Sequence, residues 1–245
     1  MTLAYDGTNY HGWQEQPGMV TVQGTLVETL ASILRERPAT EGAGRTDAGV
    51  HALGQVVAFK TEHPIEVHRL HAAANSRLPP DIAVLRLAEV PVGFRPSHFA
   101  TSKHYRYRVY RDPVKPVFEN RFVWHWYRPL EVEPMCRAAA CLVGRHDFKS
   151  FEGRGSARED TVREITRLDV LEVGKEVQFE VEGNRFLYRM VRNLVGTLIE
   201  VGRGHRPPEW VAEVLASEDR MAAGPTAPPQ GLCMMEVRYP EEWGG

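Results

Sequence analysis

Gly42-Ala43-Gly44-Arg45-Thr46-Asp47-Ala48-Gly49-Val50-His51-Ala52 is the stretch on which the reading of this chain turns. Three glycines among its first eight residues free the backbone for positive φ values and for close approach to a bound group. Asp47 stands in the middle, with Arg45 two residues before it, Thr46 beside it and small residues after it. A carboxylate shown on a tight turn beside a cation and a hydroxyl is kept ionised and aimed, as a nucleophile or base requires. A Gly/Asp-rich segment between apolar runs also serves as a plain turn, the Asp bonding its own backbone. Two phosphate loops fail on spacing. The third glycine of a dinucleotide fingerprint would fall on Asp47, and Gly44 followed by Gly49 lacks the lysine of a P-loop.

Outward from the turn, apolar periodicity defines the neighbours. Val22, Leu26, Val27, Leu30, Ile33 and Leu34 recur at helical spacing behind Thr21, an N-cap residue, and Pro38 closes that segment. Leu3 to Tyr5 reads as a strand, as does His51 to Phe59, which places Asp47 at a strand edge. A second helix opens at Pro64 and ends before Pro79-Pro80, and Ile82 to Leu87 is a strand, so the order is β-α-β-α-β. Residues 91–102 carry Pro91, Gly93 and Pro96 and read as a connector. The pattern then restarts: a strand at His104–Tyr110, a helix at Pro134–Val143, strands at 164–171 and 176–182, a long helix from about Tyr188 to Val201, a helix at Pro208–Ala216 and a last strand at Leu232–Val237. The expected fold is α+β: two similar α/β halves, 1–101 and 102–245, with mixed, mainly antiparallel sheets flanked by helices and a central cleft as the natural ligand site.

Composition bounds the class. A chain of 245 residues with 42% hydrophobic content builds a real core. There is no run of about 18 apolar residues and no basic segment followed by an apolar one at the N-terminus, so no membrane span and a cytoplasmic location are expected. Cys136, Cys141 and Cys233 are odd in number and contain no CxxC pair, which fits reduced thiols and neither a zinc site nor a disulfide framework. The net charge of −2 argues against indiscriminate coating of nucleic acid. Five of the 30 basic residues are lysines, leaving 25 arginines, and guanidinium suits bidentate phosphate contact; a genome-wide bias gives the same excess.

Gly44-Arg45-Thr46-Asp47-Ala48-Gly49-Val50-His51 resembles the active-site motif of the tRNA pseudouridine synthase A (TruA) family. Tyr5-Asp6-Gly7-Thr8-Asn9-Tyr10-His11-Gly12-Trp13-Gln14, Lys103-His104-Tyr105-Arg106-Tyr107, Met190-Val191-Arg192-Asn193 and Ala227-Pro228-Pro229-Gln230-Gly231-Leu232 are similar to further signatures of that family, so the likeness spans nearly the whole chain. It implies the pseudouridine synthase fold and a homodimeric, cofactor-free isomerase that turns uridine into pseudouridine at positions 38, 39 and 40 of the tRNA anticodon stem-loop. No metal is implied.

The resemblance also assigns roles. Asp47 is the catalytic carboxylate, acting at C6 of uracil, at C1′ of ribose, or through a glycal after taking a C2′ proton. Arg192 reaches from the second half to hold Asp47 ionised, Tyr105 stacks on the target uracil, and Arg45 fills the gap left by an everted base, whose extrusion costs a few kcal/mol. Along the strand at 103–111, Tyr105, Tyr107 and Val109 face one way, with Tyr107 the more ordinary core residue, while Arg106, Arg108 and Tyr110 give a face that can be basic. On the long helix, Arg185, Arg189 and Arg192 fall within roughly 60° of each other, a basic ridge with Gly196 leaving room. Lys103, Arg185, Arg189, Arg206 and the loop with Arg154 and Arg158 follow phosphates. At Phe94-Arg95-Pro96-Ser97-His98-Phe99-Ala100 the chain departs from the family pattern: a basic contact expected at Ser97 is missing, and Arg95 or His98 is the substitute. Two other classes stand beside this reading. A glycoside hydrolase generally uses two carboxylates, and Asp6 is the second acid on offer although it reads better as a turn residue. A non-catalytic RNA-binding module on the Tyr/Arg strand would not need Asp47.

Overall fold

Thr21 begins the first helix as its side chain suggests, accepting from the Gly24 amide at 3.2 Å and so satisfying one of the unpaired N–H groups of the first turn. The computed structural model describes residues 1–155 and 159–244. In chain order the elements are β1 (Thr2–Tyr5), α1 (Val22–Leu34), β2 (Thr40–Gly42), β3 (His51–Phe59), α2 (Val67–Arg77), β4 (Ile82–Arg86) and α3 (Pro96–Phe99). They continue with β5 (Ser102–Arg111), β6 (Trp124–Trp126), α4 (Val132–Ala140), β7 (Gly144–Asp147), β8 (Val162–Val173), β9 (Glu176–Gly183), α5 (Met190–Gly202), α6 (Trp210–Ser217), β10 (Leu232–Arg238) and α7 (Glu241–Gly244). The chain is α+β, with mixed strand pairing and flanking helices.

Two compact units result: Met1–Thr101 with Cys233–Gly245, and Ser102–Leu232. In the first, the strand order is β4-β1-β3-β10, with β2 added on β3. β1 runs antiparallel to both neighbours, Leu3 lying opposite Gln55 and Val84. Residues 233–245 group with this unit rather than with 102–232, because β10 pairs in parallel with β3, Cys233 opposite His51. Leu3, Trp13, Leu26, Leu30 and Val57 form its core. Gly54 lets that pairing approach closely, since a Cβ there would come within 2.4 Å of the Met235 carbonyl oxygen.

In the second unit the order is β5-β9-β8-β7, antiparallel throughout, with β6 parallel on β5. Gly174, at φ +59, turns β8 into β9. Helix α4 packs on α5 and β8, over a core of Met135, Phe148, Phe151, Phe179, Leu194 and Leu198. The short strands β2, β6 and β7 have no period-2 signature long enough to read in the sequence. The connector at 91–102 holds α3, and the helix expected to open at Pro64 begins at Val67. No helix among the described residues is long and apolar enough to cross a membrane.

Candidate active site

The turn that bears Asp47 is built from the inside out. The buried Tyr5 phenol oxygen lies 2.8 Å from Thr46 Oγ1, and burial pushes that phenol above its ordinary range. Gln55, fully buried, donates Nε2 to the Gly44 carbonyl at 2.6 Å. The Thr46 carbonyl accepts from the Trp13 amide at 3.0 Å, and the Gly49 amide donates to the Tyr10 carbonyl at 3.3 Å. Asp47 occupies the first position of a β-turn whose Val50 amide returns to the Asp47 carbonyl at 3.1 Å. Gly49 sits third in that turn at φ +76, the position where type II geometry calls for glycine. The backbone on both sides of Asp47 is therefore tied down, while its side chain stays half-buried and not sealed. A carboxylate held by its main chain and open to solvent on one side can serve as a nucleophile or base.

The neighbouring signature closes against the same turn. Gly7 packs so tightly that a Cβ would meet the Val50 carbonyl oxygen at 2.0 Å. Its amide donates to Nδ1 of the buried His51 at 3.0 Å, and Asp6 Oδ1 lies 3.2 Å from the same nitrogen. Asp6 accepts from the Thr8 amide at 3.0 Å and the Thr8 hydroxyl at 2.5 Å. It is the cap of a 3-10 turn, Gly7–Asn9, which is the turn role its sequence context suggested. Arg45 is exposed beside the turn.

In the second unit, Tyr105 is 7% exposed and its ring meets Phe186 edge-on, centroids 5.1 Å apart. Tyr107 is fully buried, its hydroxyl donating to the Pro228 carbonyl at 2.8 Å. Burial drives that phenol well above its usual range against the opposing charge of Arg192. Arg192 is buried in the first turn of α5 and donates Nε to the Ala227 carbonyl at 2.7 Å, while the Ala227 amide returns to the Arg192 carbonyl at 3.0 Å. Asn193 Oδ1 accepts from the Thr226 hydroxyl at 2.6 Å. Two signatures some thirty residues apart in sequence thus meet as one structure.

Several basic residues stand differently from the sequence expectation. The basic ridge on the long helix does not form: Arg189 adopts the left-handed conformation at φ +57 and is the N-cap, so the helix starts at Met190 and Arg185 and Arg189 precede it. Arg192 faces the interior, and Gly196 makes room for the Pro225 carbonyl rather than for a ligand. The polar face of β5 is not free cation. Arg106 Nε lies 2.5 Å from Glu180, which His104 also approaches at 2.6 Å, and Arg108 Nη2 lies 2.5 Å from Glu176. Both acids come from the facing strand, Glu180 directly opposite Arg106. That pairing removes the charge a binding module on this strand would use. Arg95 is exposed and holds Glu41 at 3.3 Å, with Ser97 Oγ donating to the same carboxylate at 2.6 Å. Lys103 lies half-buried opposite Gly183 at the start of β5, Arg185 is exposed, and exposed Arg154 donates to the Met221 sulfur. Arg158 lies outside the described residues. Arg220 donates to Gly224 O at 2.9 Å and to Asn193 Oδ1 at 3.1 Å, and nothing in its local sequence marks it.

The family model described as tRNA pseudouridine synthase matches residues 1–96 and 138–240. The chain belongs to the tRNA pseudouridine synthase A (TruA) family, isomerases that act on tRNA. It is similar to tRNA pseudouridine synthase A of Myxococcus xanthus, 47% identical over 240 residues that cover 98% of this chain and 91% of that protein. The protein of the same name from Moorella thermoacetica is 46% identical over 241 residues, covering 98% of each chain. That of Syntrophotalea carbinolica is 45% identical over 239 residues, covering 98% of this chain and 95% of that protein.

Proposed function

We propose that the enzyme isomerises uridines 38, 39 and 40 in the anticodon stem-loop of tRNA, with Asp47 as the catalytic carboxylate and the target base everted from the helix. The observation that carries this reading is the clamped turn: hydrogen bonds to the carbonyls of Gly44, Thr46 and Asp47 fix the backbone while the Asp47 side chain remains half-buried. Arg192 supplies the guanidinium that keeps the carboxylate charged, Tyr105 the ring that stacks on uracil, and exposed Arg45 the side chain that takes the place of the flipped base, at a cost of a few kcal/mol that the RNA contacts offset. Lys103, Arg95, Arg154, Arg158, Arg185 and Arg189 contribute to phosphate binding. The homodimer and the cytoplasmic location implied by the family belong to the same reading.

Incubation with tRNA transcripts tritiated at uridine C5 tests it, because moving the glycosidic bond from N1 to C5 releases that tritium. Wild type should release label, transcripts with cytidine at one of the three positions should release proportionately less, and Asp47→Asn should release none while its tRNA affinity stays within a few-fold. Turnover surviving in Asp47→Asn would remove the nucleophile from the scheme.

A further inference from the structure

Arg154, Arg189 and Arg220, with Met221, Pro225 and Thr226, line a cavity of about 310 Å³ within the second unit. Its three cations differ in kind from Arg95, Arg106 and Arg108, each of which faces a carboxylate. Arg154 donates to a thioether, Arg189 lies 4.7 Å from the Tyr188 ring, and Arg220 donates to the Gly224 carbonyl, Asn193 Oδ1 and Thr226 Oγ1 at 2.9, 3.1 and 3.1 Å. Among the described residues, every one of these partners is neutral. Asp219, next to Arg220 in sequence, uses its carboxylate on the Met221 amide at 2.8 Å. Burial and, after it, the charge of Arg154 lower the pKa of Arg220.

We propose that this cavity is a phosphate pocket that seats one phosphodiester of the substrate RNA, Arg154 gripping its oxygens, Arg220 supplying charge from the wall to which its own fork is anchored, and Arg189 standing at its mouth. Guanidinium forks match the paired oxygens of a phosphodiester. The apolar wall of Met221, Ala223 and Pro225 suits an attached ribose better than a bare hydrated ion. Arg220 anchors to Asn193, the neighbour of Arg192, so the phosphate is registered against the helix turn that carries Arg192. The occupant rests on the tRNA reading above; the unbalanced charge does not.

The experiment uses the full-length protein and synthetic anticodon stem-loop RNAs in which one linkage at a time is a neutral methylphosphonate. Arg154→Gln alters an exposed side chain and should keep the wild-type melting temperature. It should weaken tRNA binding about tenfold, lower the slope of log affinity against log salt by about 0.7–0.9, and raise KM by a larger factor than it lowers kcat. One methylphosphonate should weaken wild type and add nothing in Arg154→Gln; Arg220→Lys, which keeps charge but loses the fork, should lose the same coupling. Unchanged affinity and salt slope in both variants, or additive losses at every linkage, would overturn the proposal. Inorganic phosphate raising the wild-type melting temperature but not that of Arg154→Gln, with RNA binding untouched, would also overturn it by making the occupant a free anion. Absence of tritium release by wild type would instead strike the isomerase reading, leaving the linkage coupling to be judged on its own.

Discussion

The Tyr5 and Thr46 hydroxyls meet at 2.8 Å in the interior of the first unit, and through that contact strand β1 holds the turn that bears Asp47. Tyr5→Phe leaves Thr46 Oγ1 without this partner. The loss should be about 1–2 kcal/mol, with kcat reduced more than KM. Urea unfolding of Tyr5→Phe, Thr46→Val and the double variant checks it: the double should cost less than the two singles summed, because the second change removes a hydroxyl already deprived of its bond.

Gly12 sits at φ +89, and a Cβ there would lie 2.7 Å from the Thr46 carbonyl oxygen. Gly12→Ala therefore presses on the turn itself. Tritium release should fall at least tenfold in protein that still folds by circular dichroism; full activity would show that the turn tolerates displacement.

A Cβ on Gly196 would stand 1.7 Å from the Pro225 carbonyl oxygen, a backbone atom with no rotamer to change. Gly196→Ala should destabilise the protein by about 3 kcal/mol, the upper end for overpacking. Because the displaced segment includes Thr226, a partner of Arg220, tRNA affinity should drop as well, measurable by filter binding.

Acid stability should report on the sheet face of the second unit. Burial acts to raise the Glu180 carboxyl, but hydrogen bonds from His104 and Arg106 outweigh it and hold the group below the ordinary carboxylate range. Glu176 is lowered likewise, burial being outweighed by Arg108 and Gln178. A depressed folded value means the unfolded chain takes up the proton first as pH falls. The contribution is whole above the unfolded value of about 4.3 and fades as pH drops through the folded value. Thermal midpoints should hold from neutral pH down to about 5 and decline below about 4. Glu180→Gln should flatten that decline and cost about 2 kcal/mol at neutral pH.

What local chemistry dictates, the amino-acid order revealed without help. The Thr21 cap, the turn glycines, the alternation that buries Tyr105, Tyr107 and Val109 and the helix carrying Arg192 each depend on residues within a turn or two of one another. The Asp47 motif and its family are legible for the same reason: eight adjacent residues suffice. Strand partners are different. Glu180 neutralises Arg106 only because a register set across 74 residues places them opposite each other, so a face that reads as basic in one strand is nearly neutral in the sheet. The return of β10 to β3, the inward turn of Arg192 after a left-handed Arg189, and the gathering of Arg154, Arg189 and Arg220 around one cavity likewise depend on contacts between distant segments. Periodicity tells which face of an element is apolar; which charges meet is decided only when the chain closes on itself.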